Sequence, residues 1–325
     1  MMQRINRTIF NPYLLTIAIL VVAPLLFSTY IQTVITRFLI FGLFALGYNL
    51  AFGYTGLLSL GHAAFFGAGG YTVAVLKLRY SSDLFWIGAP LGIVVATLIA
   101  LVFGFVALRV SGVYFLLVTF ALGQLLFSVA WNVKWLNSPG MQGISGLSLP
   151  SLGFGFNLGT TSFYYLVLLI FVICFFVLYH VVHSPFGRAL AGIREGETRM
   201  QSLGYNTWLY KYLAFVISGI FAGVAGVLFG YYNYLISPTH LGVGTSFLPM
   251  VMTIIGGIGT LSGPVIGAAL LIFVEHFASI LTPDRWPLIL GGMFVLAIMF
   301  TREGIGVYLW KLWNRVSNRY GSAHR

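Results

Sequence analysis

Charge is what this sequence has least of. Only 7% of its 325 residues are Asp, Glu, Lys or Arg, against about 25% in a soluble domain. A water-facing surface cannot be assembled from so few ionic groups. Just six residues are acidic, and no Gly-x-x-x-x-Gly-Lys-Ser/Thr phosphate loop is present. Nucleotide and metal chemistry therefore has little to work with in this chain. Cysteine is nearly absent too. Cys174 stands alone, which excludes an internal disulfide framework or a cysteine metal site, and its place inside an apolar run makes it a packing residue.

What replaces charge is apolar surface. Hydrophobic residues make up 59% of the chain, with 29 Phe, 18 Tyr and 7 Trp that suit interfacial belts and apolar packing. A helix needs ~20 apolar residues to cross a ~30 Å hydrocarbon layer. Apolar runs bounded by Gly, Pro or charge fall at 12–30, 33–53, 57–76, 84–108, 112–131, 162–182, 209–235, 246–259, 263–281 and 286–302. The expected fold class is an all-α polytopic membrane protein, a single transmembrane domain over residues 1–325 with about ten spans. Gly61, Gly67, Gly69 and Gly70 interrupt the third run, and the short eighth ends in Gly256, Gly257 and Gly259. Both are candidates for broken or re-entrant helices. Either both cross or neither does, with eight spans as the fallback, because losing one would reverse everything after it.

The formal charge of +11 is spread between apolar runs rather than gathered into a nucleic-acid stripe. With the N-terminus cytoplasmic and ten crossings, the inside segments carry twelve of the 17 Lys and Arg residues and the outside segments five. The positive-inside rule supports that orientation, with both termini in the cytoplasm. Arg4 and Arg7 precede an apolar stretch over about 13–27 that lacks a small-x-small cleavage site, so this stretch reads as an uncleaved first helix. The orientation leaves an external loop at 132–161, rich in Gly, Ser and Pro, a cytoplasmic loop at 183–211, and a basic cytoplasmic tail at 303–325.

The cytoplasmic loop reads SPFGRALAGIREGETRMQSLGYN over 184–206. Ser184 and Pro185 suit an N-cap and first helical position, and Gly204 suits a helix end. Leu190, Ile193, Met200 and Leu203 recur at helical spacings, with Arg194, Glu195 and Arg199 beside them. This describes either a short amphipathic helix that docks on a partner or a solvated loop helix joining two spans.

Together with LAFVISG at 213–219 and AGVAG at 222–226, this loop resembles the LivM-like permease family of ABC importers for branched-chain amino acids. GYTGLLSLGHAAFF at 53–66, SGVYF at 111–115 with Thr119, and GGIGTLSGPVIGA at 256–268 resemble the same family. The stretches fall in order and span most of 40–280. Two departures stand out: Gly69-Gly70-Tyr71 where the family commonly has Gly-Ala-Tyr, and residues 141–146 as a loose version of a Thr-Gly-Gly-containing stretch.

The resemblance implies one subunit of an ABC importer in the bacterial inner membrane, surrounded by lipid. Its partners would be a second permease subunit, two cytoplasmic ATP-binding subunits that carry ATP and Mg, and a periplasmic solute-binding protein. No cofactor belongs to this chain, and no nucleic acid is involved. The coupling element maps onto Gly187, Arg188, Arg194, Glu195 and Gly204. Urea or short-amide permeases share these motifs and remain an alternative.

Candidate pathway residues follow from polarity and glycine. They are Asn49, Ser59, His62, Gln124, Gly256 and Gly257. Polar groups inside spans mark solute paths, and glycine breaks expose backbone toward protein or a cavity. Each has a structural alternative: close helix packing for the glycines, a hydrogen bond holding a broken helix for His62, and interhelical hydrogen bonds for Asn49, Gln124 and Asn233. A rival class, an ion-coupled carrier acting alone, would use Glu275 and His276 as a proton relay.

Overall fold

A computed structural model describes residues 16–80, 84–133, 143–151 and 158–281, together with positions 288, 291, 292, 295, 299 and 304–306. The first span begins as α1, Thr16–Leu26. α2 runs Thr29–Asn49 and widens into a π-turn at Leu50–Tyr54; α3 is His62–Tyr80, α4 Phe85–Ala107, α5 Val113–Asn132 and α6 Thr160–His183. Two short helices follow, α7 at Pro185–Glu195 and α8 at Glu197–Ser202, then α9 at Thr207–Asn233, a 3-10 turn at Pro238–Leu241, α10 at Val243–Gly256 and α11 at Gly263–Leu281.

Among the described residues, six helices are long and apolar enough to cross a membrane: α2 with its π-turn, α4, α5, α6, α9 and α11. That differs from ten continuous spans, for physical reasons specific to each remainder. α3 has 19 residues, but Lys77 and Arg79 occupy its last turn and glycines dilute its apolar content. α1 and α10 are shorter than a crossing needs, and α10 holds 14 residues with Pro249 inside. The tenth run, 286–302, the residues 134–142 and 152–157 of the loop expected outside, and the tail from 307 onward fall largely or wholly outside the described residues.

The bundle is arranged around α2 and α9. In each, 78% of the most apolar stretch is buried, against 22–39% in α4, α5, α6 and α11. The outer helices leave rows such as Leu91, Val94, Leu98 and Val102 of α4 exposed. Such faces suit lipid or partner subunits, since exposed apolar area costs nothing in hydrocarbon.

Lipid-immersed helices gain little from apolar burial alone and depend on close backbone contact, which small residues permit. α9 does this along one face. A methyl group on Gly223 would come 2.5 Å from Ala96 Cβ, one on Gly226 would collide with the Phe66 carbonyl, and one on Gly230 would reach Gly70 Cα at 3.3 Å. On the α3 side, Gly69 meets the Gly223 carbonyl, and Gly70 lies against the Gly226 carbonyl and the Ile236 side chain. Gly69 and Gly70 therefore do not interrupt α3 but form the groove that α9 fills, whereas Gly61 lies in the interruption itself. The break falls earlier, at residues 55–61.

At the opposite end from α7, β1 (Ile144–Ser145) pairs antiparallel with β2 (Leu235–Ile236). Phe85 N–H donates to Ser151 O at 3.1 Å, and Lys77 Nζ donates to Ser148 Oγ at 3.2 Å. The described part of the α5–α6 loop is thus folded back onto the ends of α3, α4 and α9.

The single helix expected across 187–204 is two. Gly196, with extended backbone at φ −175° and ψ 92°, separates α7 from α8. The interruption shifts the helical register, so Leu190 and Ile193 are buried while Leu203 is 67% exposed.

Gly226→Ala is expected to lower the thermal midpoint of the detergent-solubilised protein, with a cost of about 1–3 kcal/mol for overpacking. Gly244→Ala, where an added methyl meets nothing within 4 Å, should leave the midpoint in place. Differential scanning fluorimetry on both variants checks this.

Candidate functional site

Two interruptions in buried backbone and one amphipathic helix pair make up the site. At the first interruption, the α2 ladder loosens into the π-turn and then stops. α3 begins at His62, which is 0% exposed. A helix start leaves N–H groups without partners, and inside a bundle water cannot supply them. Hydroxyls from three places do so instead. Leu60 N–H donates to Thr119 Oγ1 of α5 at 3.2 Å, Gly61 N–H to Ser59 Oγ at 3.2 Å, and Ala63 N–H to Ser246 Oγ of α10 at 3.0 Å.

His62 completes the same network. Its Nδ1 lies 3.1 Å from Ser59 Oγ and its Nε2 lies 2.7 Å from Ser218 Oγ of α9. Each hydroxyl can donate or accept, so either neutral tautomer of His62 satisfies both contacts. The rings of Tyr48, Phe65 and Phe215 present edge-to-face contacts around the imidazole.

The second interruption is the turn between α10 and α11. Gly257 (φ +126°) and Gly259 (φ +76°) occupy left-handed backbone that favours glycine. Asn49, at the end of α2, grips this turn with both ends of its amide. Oδ1 accepts from Gly259 N–H at 3.0 Å and Nδ2 donates to Thr260 O at 2.9 Å. Thr260 Oγ1 accepts from Gly263 N–H at 3.2 Å and donates to Gly257 O at 2.8 Å. α10 and α11 cross so closely that a methyl on Gly256 would collide with the Gly263 carbonyl, and one on Gly267 with the Met252 carbonyl. Gly304 and Gly306 pack on the same turn.

The helix pair sits at this end of the bundle. Ser184 Oγ accepts from Gly187 N–H at 3.3 Å with Pro185 in the first turn, so the capping expected from the sequence is present. Gly187 is seated where any side chain would strike the Val182 carbonyl. Leu190 and Ile193 face inward, while Arg188 and Glu195 are exposed. Arg194 is half turned back: its Nη1 donates to the carbonyl of Gly53 in the π-turn. α8 is moored to α9 through Glu197, whose carboxylate lies 2.5 Å from Lys211 Nζ and accepts from Thr207 Oγ1 at 3.1 Å. Gly204 (φ +86°) turns the chain into α9.

Several of the residues singled out from the sequence thus fall into two groups. Ser59 and His62 share one network, Asn49 meets the turn that follows Gly256 and Gly257, and Arg194 joins the latter group through Gly53. Gln124 sits apart, half-buried on α5 beside Gly123. Thr119, Ser218 and Ser246 were not singled out as site residues. A hydroxyl in a span carries no spacing signal, although Thr119 and Ser218 lie within the motif stretches. Glu275 and His276 are at the far end, where Glu275 Oε1 accepts from Arg37 Nη2 at 2.7 Å and His276 Nε2 lies 2.9 Å from Tyr30 Oη.

Six apolar spans, two interruptions sealed by polar side chains and an amphipathic helix pair folded against one end define a multi-pass membrane permease. A family described as "Branched-chain amino acid transport system / permease component" matches residues 30–300. The high-affinity branched-chain amino acid transport system permease protein LivM of Salmonella typhimurium is 30% identical over 317 residues, covering 90% of this chain and 74% of its own. LivM of Escherichia coli K12 is 30% identical over 318 residues with the same coverage. LivH of Escherichia coli K12 is 25% identical over 285 residues, covering 82% of this chain and 90% of its own. No solved structure matches. The chain belongs to the branched-chain amino acid transport permease family.

His62→Ala is expected to lower the thermal midpoint, because it strands the hydroxyls of Ser59 and Ser218, at about 1–3 kcal/mol for buried polar groups left unpaired. Adding Ser218→Ala should cost less than the sum of the two single changes. Thermal unfolding of the purified single and double variants checks the coupling.

Proposed function

We propose that this chain is the membrane-spanning permease subunit of an ATP-driven importer of branched-chain or other apolar amino acids. The observation that carries the reading is the split character of α7, which buries Leu190 and Ile193 while presenting Arg188 and Glu195 outward. A helix anchored on one face and charged on the other suits transfer of force from a soluble partner. In this reading the partners are two cytoplasmic ATP-binding subunits that hold ATP and Mg, a second permease subunit, and a periplasmic binding protein that delivers the solute. The relatives named LivM and LivH support the amino-acid assignment, since both are permease proteins of branched-chain amino acid transport systems.

The chain sits in the inner membrane with both termini cytoplasmic and about ten crossings, counting α1, α3, α10 and the 286–302 run among them. The 132–161 loop faces the binding protein, and the exposed apolar faces of α4, α5 and α6 meet lipid or the second permease. Asn49, Ser59, His62, Gln124, Gly256 and Gly257 lie along or support the path. Urea or a short amide is the competing solute within the same architecture. A proton-coupled carrier is less well supported, because Glu275 and His276 already have partners in Arg37 and Tyr30.

Vesicles containing the full set of subunits with ATP enclosed on the cytoplasmic side should take up leucine in preference to urea. Uptake by the chain alone, driven by a proton gradient, would sink the reading. Glu195→Lys in the assembled system should weaken attachment of the ATP-binding subunits by about tenfold, measured by co-purification at rising salt, with membrane insertion unchanged.

A further inference from the structure

Arg194 and Glu195 are neighbours on α7 and both are exposed. The Arg194 guanidinium nevertheless reaches across to the Gly53 carbonyl. That carbonyl is one the π-turn leaves over. Leu57, whose N–H would continue the helical ladder onto Gly53, bonds Ala51 O at 2.9 Å instead. The negative end of a helix favours a cation beside its free carbonyls, and Arg194 supplies one.

The same guanidinium also lies against the α10–α11 turn. A methyl group on Gly259 would come 2.7 Å from Arg194 Nη1, and one on Gly53 would come 2.6 Å from Gly259 N. The backbones of Gly53 and Gly259 are therefore in direct contact, held by Asn49 from the α2 side and touched by Arg194 from the α7 side. Three elements meet at this point: the amphipathic helix, the end of α2 before the first interruption, and the second interruption itself.

We infer that Arg194 is a positioning residue that carries movement of α7 to both backbone interruptions, rather than a contact for the ATP-binding subunit. The inference rests on the permease reading above. Its chemistry is a charge-assisted hydrogen bond to a carbonyl, and Asn49 is its counterpart, passing the displacement on to Gly259 and Thr260.

The test uses the complete transporter in vesicles, measuring leucine uptake, ATP hydrolysis and retention of the ATP-binding subunits in each preparation. Arg194→Ala should retain those subunits and their hydrolysis, while solute moved per ATP falls roughly tenfold, within the range of allosteric coupling. Asn49→Ala should give a similar fall, and the double variant should be no worse than either alone. Arg194→Lys, which keeps a cationic donor, should recover part of the ratio. If the Arg194→Ala permease itself does not fold into the membrane, Arg194→Gln and Arg194→Lys decide by the same ratio. An unchanged ratio, or release of the ATP-binding subunits as the primary defect, overturns the inference. Absence of ATP-driven uptake in the unmodified transporter would instead overturn the permease reading, so the two failures are distinguishable.

Discussion

A peptide group surrounded by hydrocarbon must find its hydrogen bond within the protein, and this bundle is organised around the two stretches where helical geometry stops providing it. At residues 55–61 the missing partners are hydroxyls of Ser59, Thr119 and Ser246. At the α10–α11 turn they are the amide of Asn49 and the hydroxyl of Thr260. Each solution draws in side chains from other helices. The interruptions are consequently where α2, α3, α5, α9, α10 and α11 become mutually dependent, through polar bonds that hydrocarbon-facing surfaces cannot replace.

The amphipathic helix pair adds a contact that the packing of the spans does not require. α7 is held by its own cap, by Gly187 seated against Val182, and by Leu190 and Ile193. The reach of Arg194 to Gly53 is additional to all of these. Arg194 stays exposed to solvent while its guanidinium meets the negative field of the helix end at Gly53. Its position joins α7 directly to the backbone at the end of α2.

Much of the fold was legible in hydropathy, because a span of lipid-facing helix is a long and redundant signal. The cap at Ser184 and the left-handed turn at Gly204 were legible for a different reason, since each depends on one residue type with a strong local preference. The glycines of α3 misled in a specific way: glycine signals both a broken helix and a close crossing, and only the partner glycines of α9, 150 or so residues away, distinguish the two. Gly196 hid the division between α7 and α8, since a single glycine within an amphipathic pattern does not announce a change of register. The site was only partly readable. Asn49 and His62 stood out as polar groups in apolar runs, but their partners are backbone atoms and hydroxyls brought in by tertiary packing, which no local spacing encodes.

The face of α9 that carries Gly219, Gly223, Gly226 and Gly230 lies against α3 and α4 with carbonyl groups and small side chains set into the spaces where side chains are missing. Val227 of α9 fits into the same seam, against Gly92 of α4 and Gly69 of α3, so the three helices interlock from both sides. The α10–α11 crossing is built differently: it ends in a turn whose one side-chain tie to α2, among the described residues, is the Asn49 amide.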